Sequence, residues 1–206
     1  ILYNAKKIRA IGDIAKGTST SDYLKREVEH QHSISTSLLS YDYLDKKVNL
    51  LDSPGMFDFQ GEMMGSMFAA DIVGFVVSAI NGIEVGTNLA HDHLKSIGDK
   101  PKFIVVNKVD SDQSDFKKVL EMLKAKFGRQ VFPLMIPVNE GASFNEVSDV
   151  LKKQTLTFKG DGSGDYTESA LKDDSVASLN EEFIELIAES DEALLEKFFE
   201  DGELSD

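Results

Sequence analysis

Short apolar runs alternate with helical segments along the first two thirds of the chain. The runs have the length of buried strands and lie at 48–51, 72–77, 103–106 and 131–136. Between them, 60–70 and 87–97 are predicted to be helical, and apolar side chains recur at helical spacing over 115–127. Because strands that alternate with helices build a mainly parallel sheet with helices on both faces, this pattern predicts an α/β fold up to Pro137.

The pattern before this region is less regular. Residues 1–10 are predicted to be the tail of a helix, and residues 11–33 are polar and predicted to be irregular. Residues 35–44 are predicted to pair with 48–51 around a turn at Asp45-Lys46-Lys47.

The pattern changes after Pro137. Short strands at 155–158 and 166–168 flank a glycine-rich turn and predict a hairpin. Ser178-Leu179-Asn180-Glu181 has the form of a capping box that begins a helix, and a further helix carries Leu194, Leu195 and Phe198. We therefore predict two domains, a larger one at 1–137 and a smaller α+β one with acidic helices at 138–206.

Two short motifs follow predicted strands. Asp52-Ser53-Pro54-Gly55 ends the run at 48–51, and Asn107-Lys108-Val109-Asp110 ends the run at 103–106, 55 residues later. In an open α/β sheet, ligands bind beyond the carboxyl ends of the strands, where both motifs would emerge. Taken singly, these residues are common turn formers. In this order and at this separation, they predict the switch and guanine-reading motifs of a GTPase.

The chemistry of these residues fits a guanine nucleotide. A carboxylate at Asp110 can accept two hydrogen bonds, from N1–H and from the exocyclic amine of guanine, whereas adenine offers no such pair. Asn107 can reach the other edge of the base, and the stem of Lys108 can lie along its face. Asp52 can hold Mg²⁺ through water, and Gly55 has no side chain to keep a phosphate away.

Around these motifs the chain resembles the GTPase domain of elongation factor G, the translocation GTPase of bacterial translation. The resemblance extends from Asp52–Phe59 and Asn107–Asp110 to the switch I approach at 21–29 and to the helical end of an inserted subdomain at 190–203. Gly86-Thr87 and the lack of histidine at position 56 are more similar to diverged paralogues of that factor. The resemblance implies a GTP-dependent switch that acts on the ribosome in protein synthesis, with Mg²⁺ and GTP or GDP bound. It also implies that Ser33, aligned with the switch I threonine, is a ligand of Mg²⁺ together with Asp52.

Three features depart from the family pattern. The 206 residues contain no glycine-rich loop ending in Gly-Lys-Thr or Gly-Lys-Ser, which in the family holds the phosphates, so we expect this chain alone to bind GTP weakly. Met56 stands where the family carries the histidine that orients the attacking water, and a thioether cannot take that role. His30-Gln31-His32 replaces the family's Arg-Gly-Ile before Ser33. The family hydrolyses GTP, but these departures leave catalysis by this chain open.

Composition narrows the function classes. The absence of cysteine excludes disulfides and thiolate metal sites. No stretch approaches the roughly 18 to 20 apolar residues of a membrane span, and no signal peptide is recognisable, so we expect a cytoplasmic protein without a membrane site. Residues 160–206 hold 16 acidic and two basic residues, whereas residues 1–159 are neutral overall. This acidity argues against a nucleic-acid site in that region.

The acidic region leaves a second function class open. It is either a solvated face or a docking surface, which the family resemblance connects with a ribosomal stalk protein. In the alternative interpretation, the protein has lost GTP turnover and acts as a binding module that docks through its acidic helices. Nucleotide affinity and turnover distinguish the two classes.

Overall fold

The structure is a computed structural model that describes residues 1–98, 100–173, 175–189 and 196. These residues form two compact units. The first comprises Ile1–Val77 and Ile83–Val105, and the second comprises Ser78–Gly82 together with the described residues from Val106 onward. The predicted boundary after Pro137 stays a prediction.

The first unit contains an antiparallel hairpin of strands β1 (Ser37–Tyr43) and β2 (Lys46–Asp52). Leu44 and Asp45 form its two-residue turn with φ values of 47° and 58°. Positive φ at both central residues gives a turn whose twist matches that of the paired strands. The predicted pairing is confirmed, and its register places Ser37 opposite Asp52.

The chain before this hairpin differs from the prediction. Residues 1–10 form turns rather than a helix, and Lys6 lies in the left-handed region with φ 57°. None of residues 1–10 is buried, and Ile1 is 71% exposed, so this short segment has no buried apolar face to stabilise a helix. A helix instead occurs where an irregular segment was predicted, at α1 (Lys25–His30).

The core of the first unit lies under strand β3 (Val73–Ser78), which neighbours β4 (Lys102–Asn107). Helices α2 (Gln60–Ala69) and α3 (Val85–Ser96) supply the other core side chains. Five buried apolar residues form one cluster there, namely Met67, Val73, Phe75, Ala90 and Leu94. Each predicted element of this region is present within a few residues of its expected bounds, and the predicted α/β class is confirmed.

The second unit contains the amphipathic helix α4 (Phe116–Phe127). The Asp115 carboxylate accepts a hydrogen bond from the Lys118 backbone N–H at 2.9 Å and caps the helix. Val119 and Leu123 are each 2% exposed, which confirms the predicted buried face. Gly128 follows with φ 90°, a conformation that glycine adopts without strain at a helix end.

The second unit also contains an antiparallel four-stranded sheet. Its order is β5 (Met135–Pro137), β6 (Glu146–Asp149), β7 (Gln154–Phe158) and β8 (Tyr166–Ala170). The predicted hairpin of β7 and β8 is confirmed. The run at 131–136, which was expected to extend the parallel pattern, contributes only the short β5 and pairs antiparallel with β6.

Helix α5 (Ser175–Ala188) begins three residues earlier than the predicted capping box. Ser178 therefore lies inside the helix. The earlier start includes Val176, whose side chain is buried at 2% exposure. The Asn180 side-chain amide donates to the Val150 carbonyl at 3.0 Å and fixes the helix to the chain after β6. The predicted helix with Leu194, Leu195 and Phe198 lies outside the described residues. No helix within the described ranges is long and apolar enough to cross a membrane.

Candidate functional site

The loop Asn107–Asp110 continues directly from β4 in the second unit, and its backbone is held by four hydrogen bonds. The Asn107 carbonyl accepts from the Ala79 backbone N–H at 2.7 Å, and the Lys108 carbonyl accepts from the Ser111 backbone N–H at 3.2 Å. The Val109 carbonyl accepts from the Ser114 hydroxyl at 3.0 Å and from the Gly141 backbone N–H at 2.9 Å. Lys108 adopts the left-handed conformation with φ 62°. The loop is thus a fixed turn, anchored by the buried Val109.

A segment around Gly141 supports this loop, and sequence analysis did not identify it. Gly141 has φ 81°, and a Cβ there would lie 3.0 Å from a carboxylate oxygen of Asp112. The same Asp112 oxygen accepts from the Ala142 backbone N–H at 3.2 Å. A lone glycine among polar residues gives no sequence signal for such a contact, because its partner lies about 30 residues earlier in the chain.

The side chains predicted to read a base project from the fixed loop into solvent. Asn107, Lys108 and Asp110 are all exposed, whereas Val109 between them is 8% exposed. Within the part of the chain that the structure describes, no hydrogen bond engages the side chains of Asn107 or Asp110. An amide and a carboxylate held on a rigid turn with their polar atoms accessible are suited to bind the polar edge of a ligand.

The Asp52–Gly55 motif lies at the end of β2 in the first unit. Asp52 and Gly55 are exposed, whereas Pro54 between them is buried. A Cβ built on Gly55 would meet no other atom within 4 Å. Met56 follows with its side chain 46% exposed.

Ser33 lies after helix α1 in the first unit. Its hydroxyl donates to a carboxylate oxygen of Asp22 at 2.7 Å, and Asp22 is 9% exposed. The next two residues are held by Glu27, whose carboxylate accepts from the backbone N–H groups of Ile34 at 3.0 Å and Ser35 at 3.1 Å. Sequence analysis assigned no role to Asp22 or Glu27.

Glu27 is a buried carboxylate that remains charged. It is 1% exposed, and burial alone would raise the pKa of its carboxyl group. Hydrogen bonds from the backbone N–H groups of Ile34, Ser35, Leu24 and Tyr23 outweigh that effect and hold the pKa of Glu27 below its ordinary value. Backbone N–H dipoles therefore stabilise the negative charge of Glu27.

The histidines before Ser33 are engaged in ring contacts. The rings of His30 and His32 stack with centroids 5.8 Å apart, and His32 also lies 6.0 Å from the ring of Phe59. No group of three or more histidine, cysteine, aspartate or glutamate side chains that could hold a metal occurs among the described residues.

The predicted site residues thus fall into two sets. Ser33, Asp52 and Gly55 belong to the first unit, and Asn107, Lys108 and Asp110 belong to the second. Asp52 in the first set and all three residues of the second set are exposed, whereas Ser33 is half-buried.

Comparison with known proteins gives one consistent family. The family model described as the elongation factor Tu GTP binding domain matches residues 1–198. A curated relative, the elongation factor G-like protein of Thermotoga maritima, is 32% identical over 190 residues, which cover 90% of this chain and 26% of the relative. A crystal structure of a protein from Thermus thermophilus matches with a TM-score of 0.89 and 31% identity, over 100% of this chain and 30% of that protein. The chain therefore spans between a quarter and a third of the length of these relatives.

Proposed function

Because the chain belongs to the family of elongation factor Tu GTP-binding domains, we propose that its full-length gene product is a GTP-dependent switch that acts on the ribosome in protein synthesis. The Asn107–Asp110 loop carries the proposal. Its backbone is fixed by four hydrogen bonds, and its amide and carboxylate side chains remain accessible. Such a preorganised pair binds a base edge without the cost of ordering the loop.

In this proposal the loop reads guanine. The Asp110 carboxylate accepts from N1–H and from the exocyclic amine of the base, the Asn107 amide contacts the opposite edge, and the stem of Lys108 covers the face. Hydrogen bonds to a charged group contribute about 1.5 to 3 kcal/mol each. Adenine lacks the two donors, so the same carboxylate would be left facing an acceptor and would reject it.

The residues of the first unit fit a magnesium ion. Mg²⁺ prefers hard oxygen ligands, and it keeps several waters while it binds one or two protein groups together with substrate phosphates. The Ser33 hydroxyl and the Asp52 carboxylate supply such a donor set. When bound, the ion would neutralise phosphate charge, and Ser33 and Asp52 would hold it, Asp52 through water. Gly55, three residues after Asp52, would leave room for a phosphate oxygen.

The acidic helix α5 is the proposed docking surface for a basic partner. Glu181, Glu182 and Glu185 are exposed on it. The family resemblance connects this region with a ribosomal stalk protein, and we propose that assignment for the full-length product.

Competition binding tests the proposed base specificity. The full-length gene product would be titrated with a labelled GTP analogue in the presence of Mg²⁺, and unlabelled GTP, GDP and ATP would compete. We expect GTP and GDP to compete and ATP to be weaker by more than about 100-fold, since two charge-assisted hydrogen bonds are lost. Acceleration of GTP hydrolysis by added ribosomes tests the proposed action on the ribosome. Equal competition by ATP would exclude the assignment of the loop, and hydrolysis unaffected by ribosomes would exclude the proposed site of action.

A further inference from the structure

The hydroxyl of Ser33 is oriented by a second side chain. It donates its proton to Asp22 at 2.7 Å, and Asp22 is 9% exposed. A serine hydroxyl has one donor and two lone pairs. Since the donor is engaged by Asp22, the lone pairs remain as the part of Ser33 that can bind a cation.

We propose that Asp22 is a positioning residue for Mg²⁺ binding. Its carboxylate fixes the Ser33 hydroxyl in the orientation that a metal ligand needs. This inference rests on the proposed function. Partners that hydrogen-bond a metal ligand from behind fix its orientation and raise its basicity, and their loss typically weakens metal binding about 10- to 100-fold. A carboxylate that accepts the Ser33 proton makes the serine oxygen a better donor to a cation for the same reason.

The backbone on the far side of Ser33 is fixed independently. The Glu27 carboxylate accepts from the Ile34 and Ser35 backbone N–H groups at 3.0 and 3.1 Å, and its other oxygen accepts from the Leu24 backbone N–H at 3.0 Å. Glu27 thus ties the chain after Ser33 to the start of helix α1. Asp22 fixes the side chain and Glu27 fixes the backbone, so the position and the orientation of the hydroxyl are both set within the first unit.

The segment that carries Asp22 is also tied to the strand opposite Asp52. The Ser37 hydroxyl donates to the Ser21 carbonyl at 2.6 Å, one residue before Asp22. Ser37 in turn pairs with Asp52 across the β1–β2 ladder. The two oxygen ligands proposed for Mg²⁺ are therefore connected through one hydrogen-bonded framework, and Asp22 lies on it.

The Mg²⁺ dependence of nucleotide binding tests the role of Asp22. In the full-length gene product, binding of a non-hydrolysable GTP analogue would be followed while Mg²⁺ is varied. Asp22→Ala is expected to raise the half-saturating Mg²⁺ concentration by about tenfold or more. Binding of the analogue in excess EDTA is expected to be unchanged, whereas a merely structural defect would weaken it as well. Glu29→Ala is the matched control, because Glu29 lies on helix α1 but is exposed, and among the described residues its ion pair is with Lys25 at 3.7 Å.

A double-mutant cycle separates a positioning role from direct ligation. If Asp22 acts through Ser33, Asp22→Ala has no further effect in a Ser33→Ala background. Additive effects of the two substitutions would overturn the proposal, and so would a half-saturating Mg²⁺ concentration that Asp22→Ala leaves unchanged. Asp22→Asn keeps the acceptor oxygen without the charge and replaces Asp22→Ala if that variant does not fold. A rise smaller than for Ser33→Ala supports the proposal, and no rise overturns it. Failure of the wild-type protein to bind the analogue with Mg²⁺ would instead refute the proposed function.

Discussion

At Gly55 an added Cβ would meet no other atom within 4 Å, and the backbone does not lie in the left-handed region. The part of the chain that the structure describes therefore gives no steric or conformational reason for glycine at this position. A ligand that approaches the backbone closely gives one, because any side chain would stand in its way.

We predict that Gly55→Ala leaves the free energy of unfolding within about 0.5 kcal/mol and weakens GTP binding roughly 10- to 100-fold, from the 1 to 3 kcal/mol that a forced methyl contact costs. Calorimetric titration and thermal unfolding of the full-length product would measure both effects. Gly65→Ala is the control, since Gly65 is equally open but lies in α2, where alanine stabilises by about 1 kcal/mol. Unchanged GTP affinity in Gly55→Ala would contradict the proposed phosphate approach.

Met56 is the residue at which catalysis is expected to be limited. A group that orients water contributes about 10²- to 10⁴-fold to a rate, and a thioether cannot supply that orientation. We predict that Met56→His raises the single-turnover rate of GTP hydrolysis on ribosomes. Met135→His, at a methionine that is 48% exposed on β5, is the control for an added imidazole. Equal rates in the wild type and Met56→His would show that this position does not limit hydrolysis.

Among the structural elements, helix α1 owes its position to a buried charge rather than to an apolar face. Val28 is its one apolar residue, and Glu27 is its only buried side chain. Hydrophobic periodicity therefore could not predict it. The same holds for the loop around Gly141, whose contacts depend on residues distant in sequence.

Elements with a strong local pattern were predictable. The β1–β2 pairing and helix α4 follow from alternation, turn residues and an apolar stripe, and both are confirmed. The predictions for residues 1–10 and for the start of α5 were wrong for a common reason. In both places local propensity predicted a helix or a helix start, whereas the burial of side chains determined the observed structure. Ile1 is exposed where a helix was predicted, and Val176 is buried before the predicted start of α5.

The hydrogen-bonded carboxylate of Glu27 makes the stability of the first unit depend on pH. Because the folded-state pKa of Glu27 is below its ordinary value of 4.5, its carboxylate stabilises the folded chain above that pH. This contribution is lost as the pH falls through the lowered pKa. Glu27→Gln is predicted to cost about 1.5 to 3 kcal/mol at neutral pH, and its deficit should shrink on acidification below 4.5.

Urea unfolding at a series of pH values would measure this difference. Glu29→Gln is the matched control, since Glu29 lies on the same helix and its side chain is 55% exposed. A deficit of Glu27→Gln that stays constant between neutral and acidic pH would contradict the account of a charged, hydrogen-bonded carboxylate.

At the scale of the whole molecule, charge is the most uneven property of the chain. Residues 160–206 carry a net charge of −14, which equals the net charge of all 206 residues. Within this region, Glu189 is engaged with Arg129 at 3.4 Å, whereas Glu181, Glu182 and Glu185 are exposed without an ion-pair partner among the described residues. Part of the acidic region at 160–206 lies outside those residues.

We predict that changing Glu181, Glu182 and Glu185 to lysine slows association of the full-length product with ribosomes. The wild-type association rate should also fall as salt is raised, because screening acts over about 8 to 10 Å near physiological ionic strength. Stopped-flow association would measure both rates. Reversal of three exposed acidic residues outside the acidic region, Asp45, Asp58 and Asp71, is the control for net charge. Rates that neither salt nor reversal on α5 alters would identify the acidic region as a solvated face.

The central claim is that the Asn107–Asp110 loop reads guanine through Asp110. The most direct measurement is the ratio of GTP to xanthosine triphosphate affinity in the full-length product, compared between the wild type and Asp110→Asn. Asparagine presents a donor where aspartate accepts, so we predict that GTP binding weakens by about 10- to 150-fold and that the preference shifts to the xanthine nucleotide. Asp71→Asn, at another exposed aspartate, should change neither affinity. A GTP affinity and a base preference that Asp110→Asn leaves unchanged would contradict the account.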